Sequence, residues 1–209
     1  LRLRAYTSKG MNSLDAANQR QVDRRAQWSP AQLIDEIRAH SEASFAGRQH
    51  FPALLRLMRI KAPGYEGSLS IGELIDSIFT RDMWMHRLDI CHATGREMMQ
   101  TSHHDGRITA LVVRDLNQYL SSKLGGHAVT FRLNGNAGGT WTTDGNAGGT
   151  WTTDGNLPAS AQVSLTVQDF HRLASGRING AQAHDQGLAQ IDGDQTQGKL
   201  ALQNTVVLY

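Results

Sequence analysis

The stretch from Ala161 to Arg177 reads AQVSLTVQDFHRLASGR and joins two periodicities. Its first part, Ala161–Val167, alternates apolar and polar residues with the two-residue period of a β-strand, and the apolar members are Val163, Leu165 and Val167. Asp169 is predicted to cap a short helix over Phe170–Ser175, which a glycine then ends. A strand that runs directly into a helix predicts an α+β fold for this part of the chain.

The composition of the chain changes near Gly125. Apolar residues before this point recur at helical spacing, whereas glycine, threonine and alternating apolar residues follow it. Helices of the first part are predicted over 12–25, 51–60 and 108–124. Two further predicted helices have a start signal: one begins at Ser29-Pro30, and the other runs from the capping box of Ser70 and Glu73 to Gly95. We therefore predict a helical domain over 1–124 and an α+β domain over 125–209.

Composition excludes several classes of protein. The 209 residues carry a net charge of +2 and are 39% hydrophobic, so neither a disordered tail nor a broad basic nucleic-acid surface is expected. No apolar run approaches the roughly 20 residues of a membrane helix. A single cysteine, Cys91, and a start without the apolar stretch of a signal peptide lead us to expect a cytoplasmic protein.

A tandem repeat interrupts the second part. GNAGGTWTTD at 135–144 recurs at 145–154. Two copies are fewer than the three or so that a solenoid needs to bury a core. We interpret the repeat as a duplicated strand-turn unit, and a local insertion without function is its plainest explanation.

Three ionisable residues share one face of the long predicted helix. At about 100° per residue, Asp82, His86 and Asp89 fall on the face of Ile75 and Ile90, which we predict to be the core face. Asp82 and His86 are four residues apart, a spacing at which a carboxylate and an imidazole can bind one divalent metal ion. A buried hydrogen-bond network without metal is a second interpretation, and a rotated helix with solvated side chains is a third.

A metal site needs at least one further ligand. Five other histidines of the predicted helical domain are available, but none lies at an equally apolar helical position: His40, His50, His92, His103 and His104. Cys91 has no adjacent base, so we interpret it as a small apolar filler and not as a nucleophile.

Several segments resemble one family, the mycothiol-dependent maleylpyruvate isomerases. The resemblance covers almost the whole chain, and its segments are Asn18–Val22, Ser29–Leu33, Arg81–Ile90 with Ala93–Arg96, Val129–Leu133 with Gly138–Trp141, and Phe170–Arg177. It implies a DinB-like four-helix bundle followed by a small α+β domain similar to sterol carrier proteins. The acidic-x-x-x-His helix and the segment FHRLASGR are its most specific elements.

The resemblance also implies a divalent metal, usually zinc, bound by two histidines and one carboxylate. Asp82 and His86 match the carboxylate and one histidine. The other histidine belongs to an early helix that nothing in residues 1–60 matches. We therefore expect a chain that begins after this helix, with a truncated bundle and an incomplete metal site.

The chemistry implied by the resemblance is an isomerisation or S-transfer that uses mycothiol or a similar thiol. The metal ion holds the thiol as a thiolate, which attacks an electrophilic small-molecule substrate. A substrate carboxylate would require a bidentate arginine, and Arg172 and Arg177 are the candidates. Two alternatives stay open at this point: a non-catalytic binding module for an apolar ligand, and an inactive fragment.

Overall fold

The computed structural model describes residues 13–61, 67–143, 145, 151–152 and 158–209. Its contacts divide the chain into two units, one that ends at Ile75 and one that covers Asp76–Tyr209. The domain boundary between residues 124 and 125 remains a prediction. The helices that follow residue 76 share their unit with the main β-sheet.

The first unit contains helices and one small hairpin. Its elements are α1 (Ser13–Arg25), α2 (Pro30–Gln49), α3 (Ala53–Arg56), β1 (Arg59–Ile60), β2 (Leu69–Ser70) and α4 (Ile71–Glu73). Ser29 caps α2 as predicted, since its Oγ accepts a hydrogen bond from Gln32 N and its N–H donates to Gln32 Oε1. The helix predicted over 51–60 is wrong in its second half, where β1 pairs antiparallel with β2. A short apolar run fits a strand as well as a helix, so periodicity alone did not separate them.

Two long helices connect the hairpin to the sheet. A π-helical segment, Leu74–Ile78, leads into α5 (Phe79–Thr94), and α6 (His104–Leu120) follows. The predicted start of the first helical run at the Ser70 capping box and its predicted end at Gly95 are both confirmed. Ser70 Oγ accepts from Glu73 N at 3.1 Å, and Gly95 ends α5 with a φ of 66°, in the left-handed region that favours glycine.

A five-stranded sheet and three short helices complete the second unit. The strands are β3 (Val129–Asn134), β4 (Gly139–Thr143), β5 (Trp151–Thr152), β6 (Ala161–Thr166) and β7 (Ala189–Gly193); the helices are α7 (Val167–Ala174), α8 (Gly180–Asp185) and α9 (Gln195–Gln203). The strand order is β5-β4-β3-β6-β7, with β3 and β6 parallel and the other pairs antiparallel. The α+β fold predicted from the sequence is confirmed.

The strand-to-helix passage over Ala161–Arg177 is also confirmed, with one correction. The residue that caps α7 is Thr166 and not Asp169, because Thr166 Oγ1 accepts from Asp169 N at 3.1 Å. Side chains of both elements enter the main core, where Val163 and Phe170 are fully buried beside Phe131 and Leu116. Each such side chain contributes about 1.5–3 kcal/mol through burial.

Each copy of the tandem repeat contributes a strand. The first copy forms β4, which pairs with β3, whereas the second copy forms β5, which pairs only with β4. The other residues of the second copy, apart from Gly145, lie outside the described residues. Elsewhere, no helix in the described ranges combines the length and apolar character that a membrane crossing requires.

Candidate functional site

The orientation of α5 differs from the one predicted. Its buried residues are Arg81, Trp84, Met85 and Leu88, while Ile90 is 64% exposed. Asp82, His86 and Asp89 have side chains that are 45%, 60% and 40% exposed. The prediction that these three groups point into an apolar core is therefore wrong, and the third interpretation, a rotated helix with solvated side chains, describes their environment.

The three groups nevertheless form one polar cluster on α5. His86 Nε2 lies 3.4 Å from Asp82 Oδ1, and His86 Nδ1 lies 3.5 Å from Asp89 Oδ2. The two carboxylates thus face opposite nitrogens of the same imidazole ring. A single ion cannot bind both ring nitrogens, so the cluster offers at most two ligands, Asp82 and His86, to one metal ion.

Arg177 joins this cluster from the loop after α7. Its Nε donates to Asp89 Oδ1 at 2.7 Å and its Nη2 donates to Asp89 Oδ2 at 2.5 Å. This bidentate pair holds the pKa of Asp89 below its usual range, chiefly through the hydrogen bonds from Arg177. The guanidinium edge that could bind a substrate carboxylate is occupied by Asp89.

The other predicted ligands do not come together. No group of three histidine, cysteine, aspartate or glutamate residues in the described part of the chain is arranged to hold a metal ion. The five further histidines within residues 1–124 are all exposed: His40, His50, His92, His103 and His104. Their role as a third ligand stays untested, and only Asp82 and His86 are adjacent.

A cavity of about 260 Å³ lies at the end of α5. Its apolar wall comes from Leu88, Cys91 and Met98, and its polar residues include Arg96 and Arg172. The remaining lining residues are His92, Gly95, Glu97, Gln168 and Asp169. A second cavity of about 500 Å³ shares Glu97, Met98 and Gln168 with it and is otherwise lined by Met99, Gln100, Gly135 and Asn136. We call these two neighbouring cavities the cleft.

Arg172 is the predicted site residue that lines the cleft. Its Nη1 donates to Asp169 Oδ1 at 3.1 Å, and Asp169 in turn accepts a hydrogen bond from Thr166 Oγ1 at 2.6 Å. The side chain is 27% exposed. The first turns of α7 therefore fix a guanidinium at the cleft, while Arg177 pairs with Asp89 instead.

Sequence reasoning missed most of the cleft. Leu88 was given no role of its own, and residues 97–100, between α5 and α6, carry no motif. Gln168 is a polar residue in a helical turn and gives no signal by itself. Cys91 packs against the cluster of Trp84, Met85, Leu88, Met98 and Ile108, as its interpretation as an apolar filler expects, and it also lines the cleft.

Comparisons with known proteins give structural similarities only. No family model matches the chain, and no curated protein matches it. The sterol carrier protein 2 of Yarrowia lipolytica, in its apo form, is 23% identical over 46% of this chain and 91% of its own, with a TM-score of 0.36. The sterol carrier protein domain 2 of Helicoverpa armigera is 26% identical over 41% of this chain and 73% of its own, with a TM-score of 0.34. UbiJ-SCP2, a ubiquinone synthesis protein, is 15% identical over 47% of this chain and 93% of its own, with a TM-score of 0.37.

Proposed function

We propose that the protein is a binding module for a small, mainly apolar ligand that carries a polar end. The observation that supports this proposal is the cleft, in which Leu88, Cys91 and Met98 meet the guanidinium of Arg172. Ligand sites in proteins are concave and largely apolar, with a few polar groups that orient the ligand. The cleft combines apolar side chains with polar ones, which predominate in the larger cavity, and its two cavities have volumes of about 260 and 500 Å³.

The two kinds of lining residue have separate tasks. Met98 is 4% exposed and Leu88 is 4% exposed, so their side chains are already ordered and lose little entropy when a ligand arrives. Methionine also adapts its shape to irregular apolar partners. Arg172, held by Asp169, offers its remaining N–H groups to a polar end of the ligand.

Fluorescence titration with anilinonaphthalene sulfonate, an apolar dye with an anionic group, tests this proposal. Gln168 lines both cavities and is half-buried, so Gln168→Trp should fill the cleft and weaken dye binding at least ten-fold. Gln190→Trp is the matched control, because Gln190 is an exposed residue of β7 that lines neither cavity. Equal dye affinity in both variants would contradict the proposal.

A metal- and thiol-dependent enzyme is a second candidate function, and one distance favours it. Two ligands that each lie about 2.0–2.1 Å from a tetrahedral zinc ion are about 3.3 Å apart. Asp82 Oδ1 and His86 Nε2 are separated by 3.4 Å, which suits this arrangement. When bound, zinc would supply a Lewis acid that lowers the pKa of a thiol such as mycothiol. Asp82 and His86 would hold the ion, and Arg172 would orient a substrate carboxylate.

Calorimetric titration with zinc tests the second candidate separately. With two protein ligands we expect weak binding, on the order of 10 µM or weaker, because structural zinc sites have four ligands. His86→Ala should abolish this binding, whereas His92→Ala, a change of an exposed histidine on the same helix, should leave it unchanged. Zinc binding that survives in His86→Ala would remove the support for this candidate without affecting the cleft.

A further inference from the structure

Arg81 carries buried nitrogens that lack partners. The side chain lies on the buried face of α5 and is 1% exposed. Its Nη2 is 2.9 Å from Asp115 Oδ2, but neither Nε nor Nη1 has a hydrogen-bond partner among the described residues. Buried polar groups in native proteins are nearly always satisfied, and an unsatisfied one often marks the place of a missing water, ion or ligand.

The charges around Arg81 leave a positive excess. Asp115 is shared, because its Oδ1 also accepts from Arg114 Nε at 2.8 Å. Asp105 is a carboxylate whose burial would raise its pKa, but hydrogen bonds from Thr101, Trp84 and Arg87 hold this pKa at about 2. That charge is paired with Arg87 at 2.6 Å. One carboxylate, Asp115, therefore serves two guanidinium groups.

The aromatic neighbours of Arg81 do not supply the missing negative charge. Thr109 Oγ1 donates to the carbonyl of Asp105, so it must accept from His171 Nε2–H at 3.1 Å. The other ring nitrogen of His171 then accepts from the hydroxyl of Tyr209 at 2.5 Å. Burial raises the pKa of Tyr209, and both aromatic groups are neutral.

Tyr209 covers Arg81. The guanidinium carbon lies 5.7 Å from the centroid of the Tyr209 ring. Tyr209 belongs to the non-helical stretch that follows α9, and in this stretch Val207 N donates to Ala174 O at 2.9 Å. Displacement of the Tyr209 ring would break its hydrogen bond to His171 and its packing against two buried apolar clusters.

We propose that Arg81 is the centre of a buried binding site for the carboxylate group of a small molecule, with Tyr209 as the side chain that opens to admit it. A carboxylate brings one negative charge, which matches the excess left by the shared Asp115. Its oxygens accept hydrogen bonds from the N–H groups of arginine, a charge-assisted pairing that a buried environment strengthens. The site is separate from the cleft, which Arg81 does not line.

Nuclear magnetic resonance of the arginine Nε–H groups tests this site in the intact chain. Sodium acetate is titrated against sodium chloride at matched ionic strength, and the Arg81 signal is assigned by its loss in Arg81→Lys. We expect a saturable shift of the Arg81 signal with a Kd on the order of 1 mM, as fits a ligand of few atoms. The same signal should be insensitive to chloride.

Two variants separate specific binding from a general salt effect. Arg81→Gln should weaken acetate binding, measured by calorimetry, at least ten-fold. Arg38→Gln should retain it, because the side chain of Arg38 is 76% exposed and pairs with Asp35 instead of Asp115. If Arg81→Gln does not fold, the titration of the unaltered chain decides alone. A linear, unsaturable shift of the Arg81 signal, or equal acetate affinity in both variants, would overturn the proposal.

Discussion

His171 is one of the fully buried polar residues described in the second unit. Its side chain is fully buried, and its ring centroid lies 4.0 Å from that of Trp84. Burial, with a smaller contribution from the charge of Arg81, lowers the pKa of His171 to about 3, while Asp105 acts in the opposite direction. The native protein therefore keeps His171 neutral at pH values at which the unfolded chain protonates it.

This depressed pKa makes stability depend on pH. The ordinary pKa of histidine is 6.5, so the contribution of neutral His171 is complete above that pH and is lost as the pH falls from 6.5 towards 3. In this window the unfolded state binds one proton more than the native state. The free energy of unfolding should therefore fall by up to about 1.4 kcal/mol per pH unit from this residue alone.

Urea unfolding between pH 7 and 4 measures this slope. His171→Gln should be less stable at pH 7 but should show a slope shallower by about one proton. His92→Gln, at an exposed position of α5, should keep the slope of the unaltered protein. An unchanged slope in His171→Gln would show that the native state protonates this ring as readily as the unfolded chain does.

At the scale of elements, the start of the helical run at Ser70 and its end at Gly95 were predictable, but the rotation of α5 within this run was not. The capping box of Ser70 and the terminal Gly95 are local signals that a sequence carries in full. The buried face of the helix was predicted from Ile75 by a rotation of 100° per residue. Ile75 lies in the segment Leu74–Ile78, which is π-helical. A π-helix turns through fewer degrees per residue than an α-helix. The angle predicted for each residue after this segment is therefore shifted from its actual position on the helix.

Polar partners provide a second reason for the rotation. Trp84 Nε1 donates to Asp105 Oδ1 at 2.7 Å, and Arg81 pairs with Asp115 on α6. These contacts bury a tryptophan and an arginine in preference to Ile90. Partners that are distant in sequence decide such a choice, and hydrophobic spacing contains no information about them. The same limit explains why the cleft, assembled from α5, residues 95–100 and α7, was not predicted.

The tandem repeat allows a test at the same scale. The first copy supplies β4, which pairs with β3, whereas the second copy supplies β5, which lies at the edge of the sheet. Deletion of residues 145–154 removes an even number of residues and places Gly155 after Asp144, where Gly145 stands now. We expect the shortened chain to lose less than about 1 kcal/mol of stability, as a surface change does.

Chemical denaturation of the shortened and the full chain provides this comparison. Deletion of residues 135–144 would give the identical shortened sequence, so a single deletion variant is enough for this test. A loss above about 2 kcal/mol, the scale of a core mutation, would show that β5 is structurally necessary.

For the whole molecule, the second unit places the cleft between elements that two buried apolar clusters hold together. Phe131 of β3 and Phe170 of α7 contact each other with ring centroids 6.1 Å apart, and Trp84 of α5 stacks on His171 of α7. These contacts position the α5 and α7 walls of the cleft before a ligand binds. Such preorganisation reduces the entropic cost of binding.

Methyl resonances of the methionines test this account most directly. Met98 and Met99 line the cleft, whereas Met83 lies on α5, is 59% exposed and lines neither cavity. Titration with anilinonaphthalene sulfonate, followed in protein labelled with ¹³C at the methionine methyl groups, should shift the Met98 signal saturably and leave the Met83 signal in place. A saturable shift at Met83 with none at Met98 would contradict the assignment of the cleft as the ligand site.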